Sequence, residues 1–180
     1  MSYGQLGLLR GINVGGKNIL PMRDLSAIFE SAGCENVRTF IQSGNVIFNA
    51  SARASRSLAG IVAATIEERF GYKVPVILRT AQQLRDVVSK NPFLKPGSAE
   101  ETLHVMFLAD RPIPAKIAAL DPNRSLPDAF IVRGQEIYLN LPNGGGKSKL
   151  TNAWFDAKLS TVSTVRNWRT VNKLLAMMED

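Results

Sequence analysis

The chain opens on a short apolar run, Gln5–Arg10, whose length and composition predict a buried strand. Gly11–Leu20 carries Gly11, Gly15, Gly16 and Asn18 and is expected to be a loop. Apolar residues then recur at Met22, Leu25, Ile28, Phe29 and Ala32, the spacing of one helix face. Pro21 suits the first turn of that helix, where a missing N–H does no harm, and Gly33 ends it. Val37–Gln42 and Asn45–Asn49 are rich in β-branched and aromatic residues, and the Ser43-Gly44 break between them predicts a hairpin. Leu58, Ile61, Val62, Thr65, Ile66 and Phe70 form a second helical stripe, closed by Gly71. Val74–Leu78 reads as a strand, with Pro75 placing it at a sheet edge. Thr80 and Gln83 have capping-box spacing and open a helix that carries Leu84, Val87 and Val88.

A polar stretch, Asn91–Glu101, holds Pro92, Pro96, Gly97 and Ser98 and reads as a linker. A second series follows it. Leu103–Leu108 is expected as a strand, Pro114–Leu120 as a short helix, and Ala129–Arg133 with Glu136–Leu141 as a hairpin about Gly134-Gln135. Ser148–Lys158 is expected as a helix, Thr161–Thr164 as a short strand and Asn167–Met178 as a final helix. Each half thus reads βαββαβα. The expected fold is α+β, with two tandem ferredoxin-like (βαββαβ) subdomains, each followed by a helix. Residues 1–90 form the first, 91–101 the linker and 102–180 the second. The rival architecture is one continuous α+β domain with a larger mixed sheet.

Composition narrows the function classes. The 180 residues are 45% hydrophobic and 21% charged, in the range of globular chains, and the formal net charge is +7. That charge is uneven. Residues 141–175 hold Lys147, Lys149, Lys158, Arg166, Arg169 and Lys173 against Asp156 alone, and the first 23 residues hold Arg10, Lys17 and Arg23 without an acid. Two basic regions suggest a polyanion or phosphate partner, against the plainer reading of a solvated basic surface. A single cysteine, Cys34, and a single histidine, His104, exclude an internal disulfide framework and a Cys/His zinc site. No metal and no cofactor are expected. The apolar Leu6-Gly7-Leu8-Leu9 is stopped by Arg10 and lacks a cleavage region, and no run approaches the roughly 18 apolar residues of a membrane span. With the lone Cys34, this places the protein in the cytoplasm without a membrane partner.

Several constellations carry candidate chemistry. Gly145-Gly146-Lys147-Ser148, followed by Lys149, lies between a predicted strand and a predicted helix, the setting of a phosphate-binding loop. The full motif needs a glycine where Leu141 stands, which argues against nucleotide hydrolysis. The remaining expectation is an anion site, with Ser148 capping the helix and Lys147 on the anion. In the final helix, at about 100° per residue, Arg166, Arg169 and Lys173 fall in one sector, with Asn167 beside them. Trp168, Val171, Leu174, Leu175 and Met178 fall opposite and are expected to pack. Arg10, Asn13 and Lys17 sit among glycines whose N–H groups suit an anion nest. Gln42, Ser43 and Asn45 surround the hairpin Gly44. From topology, the loop after the first strand and this hairpin are expected at opposite ends of the sheet.

The parts of an active site are missing from the sequence. His104 falls in a predicted strand and reads as packed or hydrogen-bonded. Cys34 follows a helix C-terminus, where the dipole raises a thiol pKa. Asp110, Asp121 and Asp128 lack metal-ligand spacing, and neighbours such as Ser148 and Lys149 seldom point together as a dyad. No catalytic residue is assigned.

Four blocks carry a resemblance: Leu8–Asn18 with Pro21-Met22, Val37–Phe48, Gly146–Leu150, and Thr164–Leu174. In these the chain resembles the bacterial family catalogued as domain of unknown function 1697. The resemblance implies a pair of α+β subdomains without an established activity. The expected function is therefore binding of a phosphate-bearing ligand or nucleic acid through the basic, glycine-rich loops. The third predicted strand lacks the paired aromatics of an RNA-recognition sheet, so phosphate contacts would dominate. The alternatives are a non-catalytic scaffold braced by its motif residues, and an enzyme on an acidic or phosphorylated small molecule with Arg10, Lys17 and Arg166 as clamps. Oligomeric state is not fixed by the sequence.

Overall fold

The computed structural model describes residues 3–180. The chain divides into two compact units. One gathers the chain as far as Arg85 together with Lys173–Asp180, and the other is Asp86–Asn172. The sequence had placed a linker at 91–101. Two helices carry the chain between the units: α3 (Ala81–Ser89) and α6 (Trp168–Glu179).

The first unit runs β1 (Gln5–Leu9), α1 (Met22–Ser31), β2 (Glu35–Phe40), β3 (Asn45–Asn49), α2 (Ala52–Phe70) and β4 (Val76–Thr80). Its sheet has the order β2-β3-β1-β4, antiparallel throughout. Alternation along the strands sends Leu9, Val46 and Phe48 to the face that Leu25, Ile28 and Phe29 of α1 and Leu58, Val62 and Ile66 of α2 cover. Gly7 is needed there, because a Cβ on it would lie 2.9 Å from Cζ of Phe29. β4 is an edge strand, as Pro75 suggested. The Thr80–Gln83 capping box forms. Gln83 N–H donates to Thr80 Oγ1 at 3.1 Å, and Thr80 N–H donates to Gln83 Oε1 at 2.8 Å.

The second unit repeats the plan: β5 (Leu103–Leu108), α4 (Pro114–Ala118), β6 (Ala129–Arg133), β7 (Glu136–Asn140), α5 (Asn152–Leu159) and β8 (Ser163–Asn167). The sheet order is β6-β7-β5-β8, again antiparallel. Met106, Leu108, Ile137 and Leu139 pack against Leu120, Leu150, Phe155 and Leu159. The architecture is thus mixed α+β, with two four-stranded antiparallel sheets and, among the described residues, six α-helices.

The repeat reaches single residues. Arg79 of β4 lies opposite Leu6 of β1, and Arg166 of β8 opposite Val105 of β5. Both arginines are buried, and each folds back to donate to the carbonyl of the preceding residue, Leu78 at 2.8 Å and Val165 at 2.9 Å.

Cys34 is buried in the first core, and burial pushes its thiol up from 9.0 to about 11. A raised folded-state pKa means that the neutral thiol favours the fold. This contribution is complete below pH 9 and is lost as the pH climbs through 11. Alkylation of the native protein by iodoacetamide at pH 8 is expected to be at least tenfold slower than in urea. Equal rates in the two states would contradict the burial.

Candidate functional site

The first-unit loops close on one another. Asn13 sits at φ 54°, in the left-handed region that asparagine tolerates. Its Oδ1 accepts from Leu20 N–H at 2.8 Å, and its Nδ2 donates to the carbonyls of Leu20 and Gln42, both at 2.9 Å. The β1–α1 loop and the turn after β2 therefore meet, and the expectation of opposite ends is corrected. β1 and β3 are antiparallel with Leu8 beside Asn45, so the end of β1 and the start of β3 share one end of the sheet. Asn45 is buried and donates to Phe40 C=O at 3.1 Å and Ser43 Oγ at 2.9 Å. The side chain of Gln42 is exposed, and only its carbonyl enters the brace. Lys17 is exposed at the loop tip, and Arg10 is half-buried. Gly11, Gly15 and Gly16 all have positive φ, while an added Cβ would meet nothing within 4 Å. Their positive φ accounts for glycine at these positions.

The Gly145–Lys149 segment differs from its expected form. Gly145–Lys147 is a 3-10 turn, Ser148 is extended, and α5 begins only at Asn152. Thr151, not Ser148, caps the helix, accepting from Trp154 N–H at 3.2 Å. Ser148 Oγ instead accepts from Leu150 N–H at 3.1 Å. The cause is Leu150, buried in the second core, which draws the chain inward before a helix can start. Lys147 and Lys149 remain exposed.

The triad of cations on one helix face is also corrected. Arg166 belongs to β8, where it is buried to 8% exposure on the face opposite core-packed Val165. Its guanidinium donates to Thr164 Oγ1 at 2.8 Å, and burial lowers its pKa to about 10. The helix begins one residue after Asn167, whose Oδ1 accepts from Thr170 N–H at 2.8 Å as the cap. Arg169 and Lys173 are exposed one turn apart on α6.

Around this junction of β8 and α6 lies a cavity of about 460 Å³, lined by Glu100, Glu101, His104, Asn167, Trp168, Arg169 and Asn172. Three elements supply it. His104 stands directly opposite Asn167 across the β5–β8 ladder, the first turn of α6 brings Trp168, Arg169 and Asn172, and a 3-10 turn at Glu100–Thr102 brings the glutamates. His104 Nδ1 lies 3.1 Å from the carbonyl oxygen of Thr102. A carbonyl only accepts, so in the neutral ring Nδ1 carries the proton and Nε2 keeps a lone pair. Asn172 Nδ2 donates to Trp168 C=O at 2.9 Å, which leaves its Oδ1 as an acceptor. Asn167 accepts through Oδ1, which leaves its Nδ2 as a donor. Among the described residues, Arg169 has no ion-pair partner.

The equivalent position of the first unit is occupied by Gln5. By strand register Gln5 opposite Thr80 corresponds to His104 opposite Asn167. Gln5 Nε2 donates to Ala50 C=O and to Ser55 Oγ, so its polar end is held within the unit. Of the sequence candidates, the cavity gathers Asn167 and Arg169. It leaves aside Arg10, Asn13, Lys17, Gln42, Ser43, Asn45, Lys147, Ser148, Lys149, Arg166 and Lys173. Glu100, Glu101 and Asn172 carry no signal in the sequence, where His104 reads as packed or hydrogen-bonded and Trp168 as packed. The asparagine cap two residues before a second arginine was the one available signal.

Two tandem α+β units, each with a four-stranded antiparallel sheet and the second carrying a polar cavity, define the class to which this protein is assigned. The model of the family described as "Protein of unknown function (DUF1697)" matches residues 4–138, and the chain belongs to this family. A solved structure, that of the conserved bacterial protein SP0830 from Streptococcus pneumoniae, is similar with a TM-score of 0.71. It is 19% identical in sequence, over 99% of this chain and 99% of that one. That likeness shows a common fold. A search of curated proteins found no match.

Proposed function

We propose that this protein binds a small polar molecule in the cavity of its second unit, with an anionic group, phosphate or carboxylate, held by Arg169 and the Asn167 amide. The observation that carries the reading is the convergence of groups with unused hydrogen-bonding capacity on one cavity. An unpaired guanidinium, the His104 lone pair and two asparagine side chains meet there. The volume of about 460 Å³ lies in the range of small-ligand sites. A screen of anionic metabolites by thermal shift and calorimetry tests this. Arg169→Ala is expected to weaken a hit at least tenfold and to leave the melting temperature of the free protein within about a degree. Hits that bind the variant as tightly would count against the site.

A second reading has its own support. Lys17, Lys147 and Lys149 are exposed in glycine-rich loops and suit phosphate contacts with a nucleic acid. Its mark would be affinity for short RNA or DNA that falls steeply with salt and with alanine at these lysines. The finer fold assignment belongs with these proposals. The element order βαββαβ and the strand order β2-β3-β1-β4, repeated as β6-β7-β5-β8, support two ferredoxin-like subdomains. The single free Cys34 supports a cytoplasmic setting.

A further inference from the structure

We infer that the cavity of the second unit takes a zwitterion, a molecule with an ammonium group facing Glu100 and Glu101 and a carboxylate or phosphate facing Arg169. The inference rests on the reading of this cavity as a binding site and adds the charge pattern of the ligand. Its basis is the juxtaposition of opposite charges that do not meet. Glu100, Glu101 and Arg169 line the same cavity, yet among the described residues neither carboxylate pairs with the guanidinium. Opposite charges on flexible side chains close on each other when they can reach. Here they stand on different elements, the glutamates on the 3-10 turn before β5 and Arg169 on the first turn of α6, and the field between them runs from guanidinium to carboxylates.

That field selects among ligands. Two carboxylates stand against one guanidinium in the lining. A bare phosphate would meet repulsion from the glutamates, and a bare amine would meet it from Arg169. A molecule with both charges satisfies both signs of charge in the lining. The uncharged groups serve both ends of such a molecule: Asn167 Nδ2 is a donor for an anion, and His104 Nε2 and Asn172 Oδ1 are acceptors for an ammonium.

The test is calorimetry on the full chain with three probes: 6-aminohexanoate, glycylglycine and phosphoethanolamine. Each is compared with its N-acetylated form, and the first two also with their C-terminal amides. At least one parent probe is expected to bind, with each neutralised form at least tenfold weaker. Glu100→Gln with Glu101→Gln should remove the penalty for acetylation and keep the penalty for amidation. Arg169→Gln should do the reverse. All three positions are exposed, so the variants should keep the native spectrum. Neutralised forms that bind as well as their parents overturn the zwitterion inference, and so does an amine preference that survives the double glutamine variant. If anions without an amine bind and depend on Arg169, the inference falls while the binding site stands. If no probe or metabolite perturbs the cavity, both fall.

Discussion

Replacing Gly44 with alanine is expected to destabilise the first unit by about 3–5 kcal/mol. Two costs combine. Gly44 has φ +80°, where an L-residue is strained by about 1–2 kcal/mol. Its added Cβ would also stand 2.7 Å from Cβ of Leu9 and 3.0 Å from Cδ1 of Ile12. Leu9 cannot yield, because its Cβ is fixed to a buried strand whose N–H donates to Gly44 C=O at 2.8 Å. Gly11→Ala is the matched control. Its φ of +73° carries the same strain, but nothing lies within 4 Å of the new Cβ. Urea denaturation should place Gly11→Ala about 1–2 kcal/mol below the wild type and Gly44→Ala well below that. Equal losses in the two variants would remove the packing half of the argument.

Asn13→Ala is expected to cost about 2–4 kcal/mol. The variant loses three hydrogen bonds, leaves Leu20 N–H and two carbonyls without their partner, and keeps a left-handed backbone without the residue type that tolerates it. Asn13→Asp should not rescue it, since a carboxylate has no donor for the carbonyls of Leu20 and Gln42. Gln42→Ala should change stability by less than about 0.5 kcal/mol, because the brace uses only its main chain. A large loss at Gln42 with none at Asn13 would invert this account of the loop.

The sequence made the repeated element order legible, because apolar periodicity switches cleanly between strands and helices at most boundaries. It was least legible where strand passes into helix without a spacer. Arg166, Arg169 and Lys173 fit one helical sector by angle, yet β8 runs to Asn167 and α6 starts at Trp168. Periodicity alone cannot show that a three-residue interval spans two kinds of backbone, and the Asn167 cap was the local signal of the change. Ser148 misled for a related reason. Serine is a strong cap by type, but with Leu150 buried the cap of α5 falls on Thr151 instead.

The cavity was the least legible part. Glu100 and Glu101 lie in a stretch whose prolines and glycine read as linker, and nothing in their spacing ties them to Arg169, almost 70 residues on. His104 was read as a hydrogen-bonded strand residue, and its Nδ1 is bonded as such. What the sequence could not show is that the same ring lines a cavity. The glycine-rich loops stood out because their composition is unusual, and positive φ accounts for Gly11, Gly15, Gly16 and Gly144.

The most direct test of the central claim is a backbone-amide NMR titration of the full chain with a ligand from the metabolite screen. Binding in the cavity predicts that His104 and the amides of Asn167–Asn172 move together and saturably, with those of Glu100 and Glu101. The loops at Gly11–Asn18 and Gly144–Lys149 should stay in place. Shifts confined to those loops, with the cavity silent, would contradict the assignment and return the site to the exposed lysines.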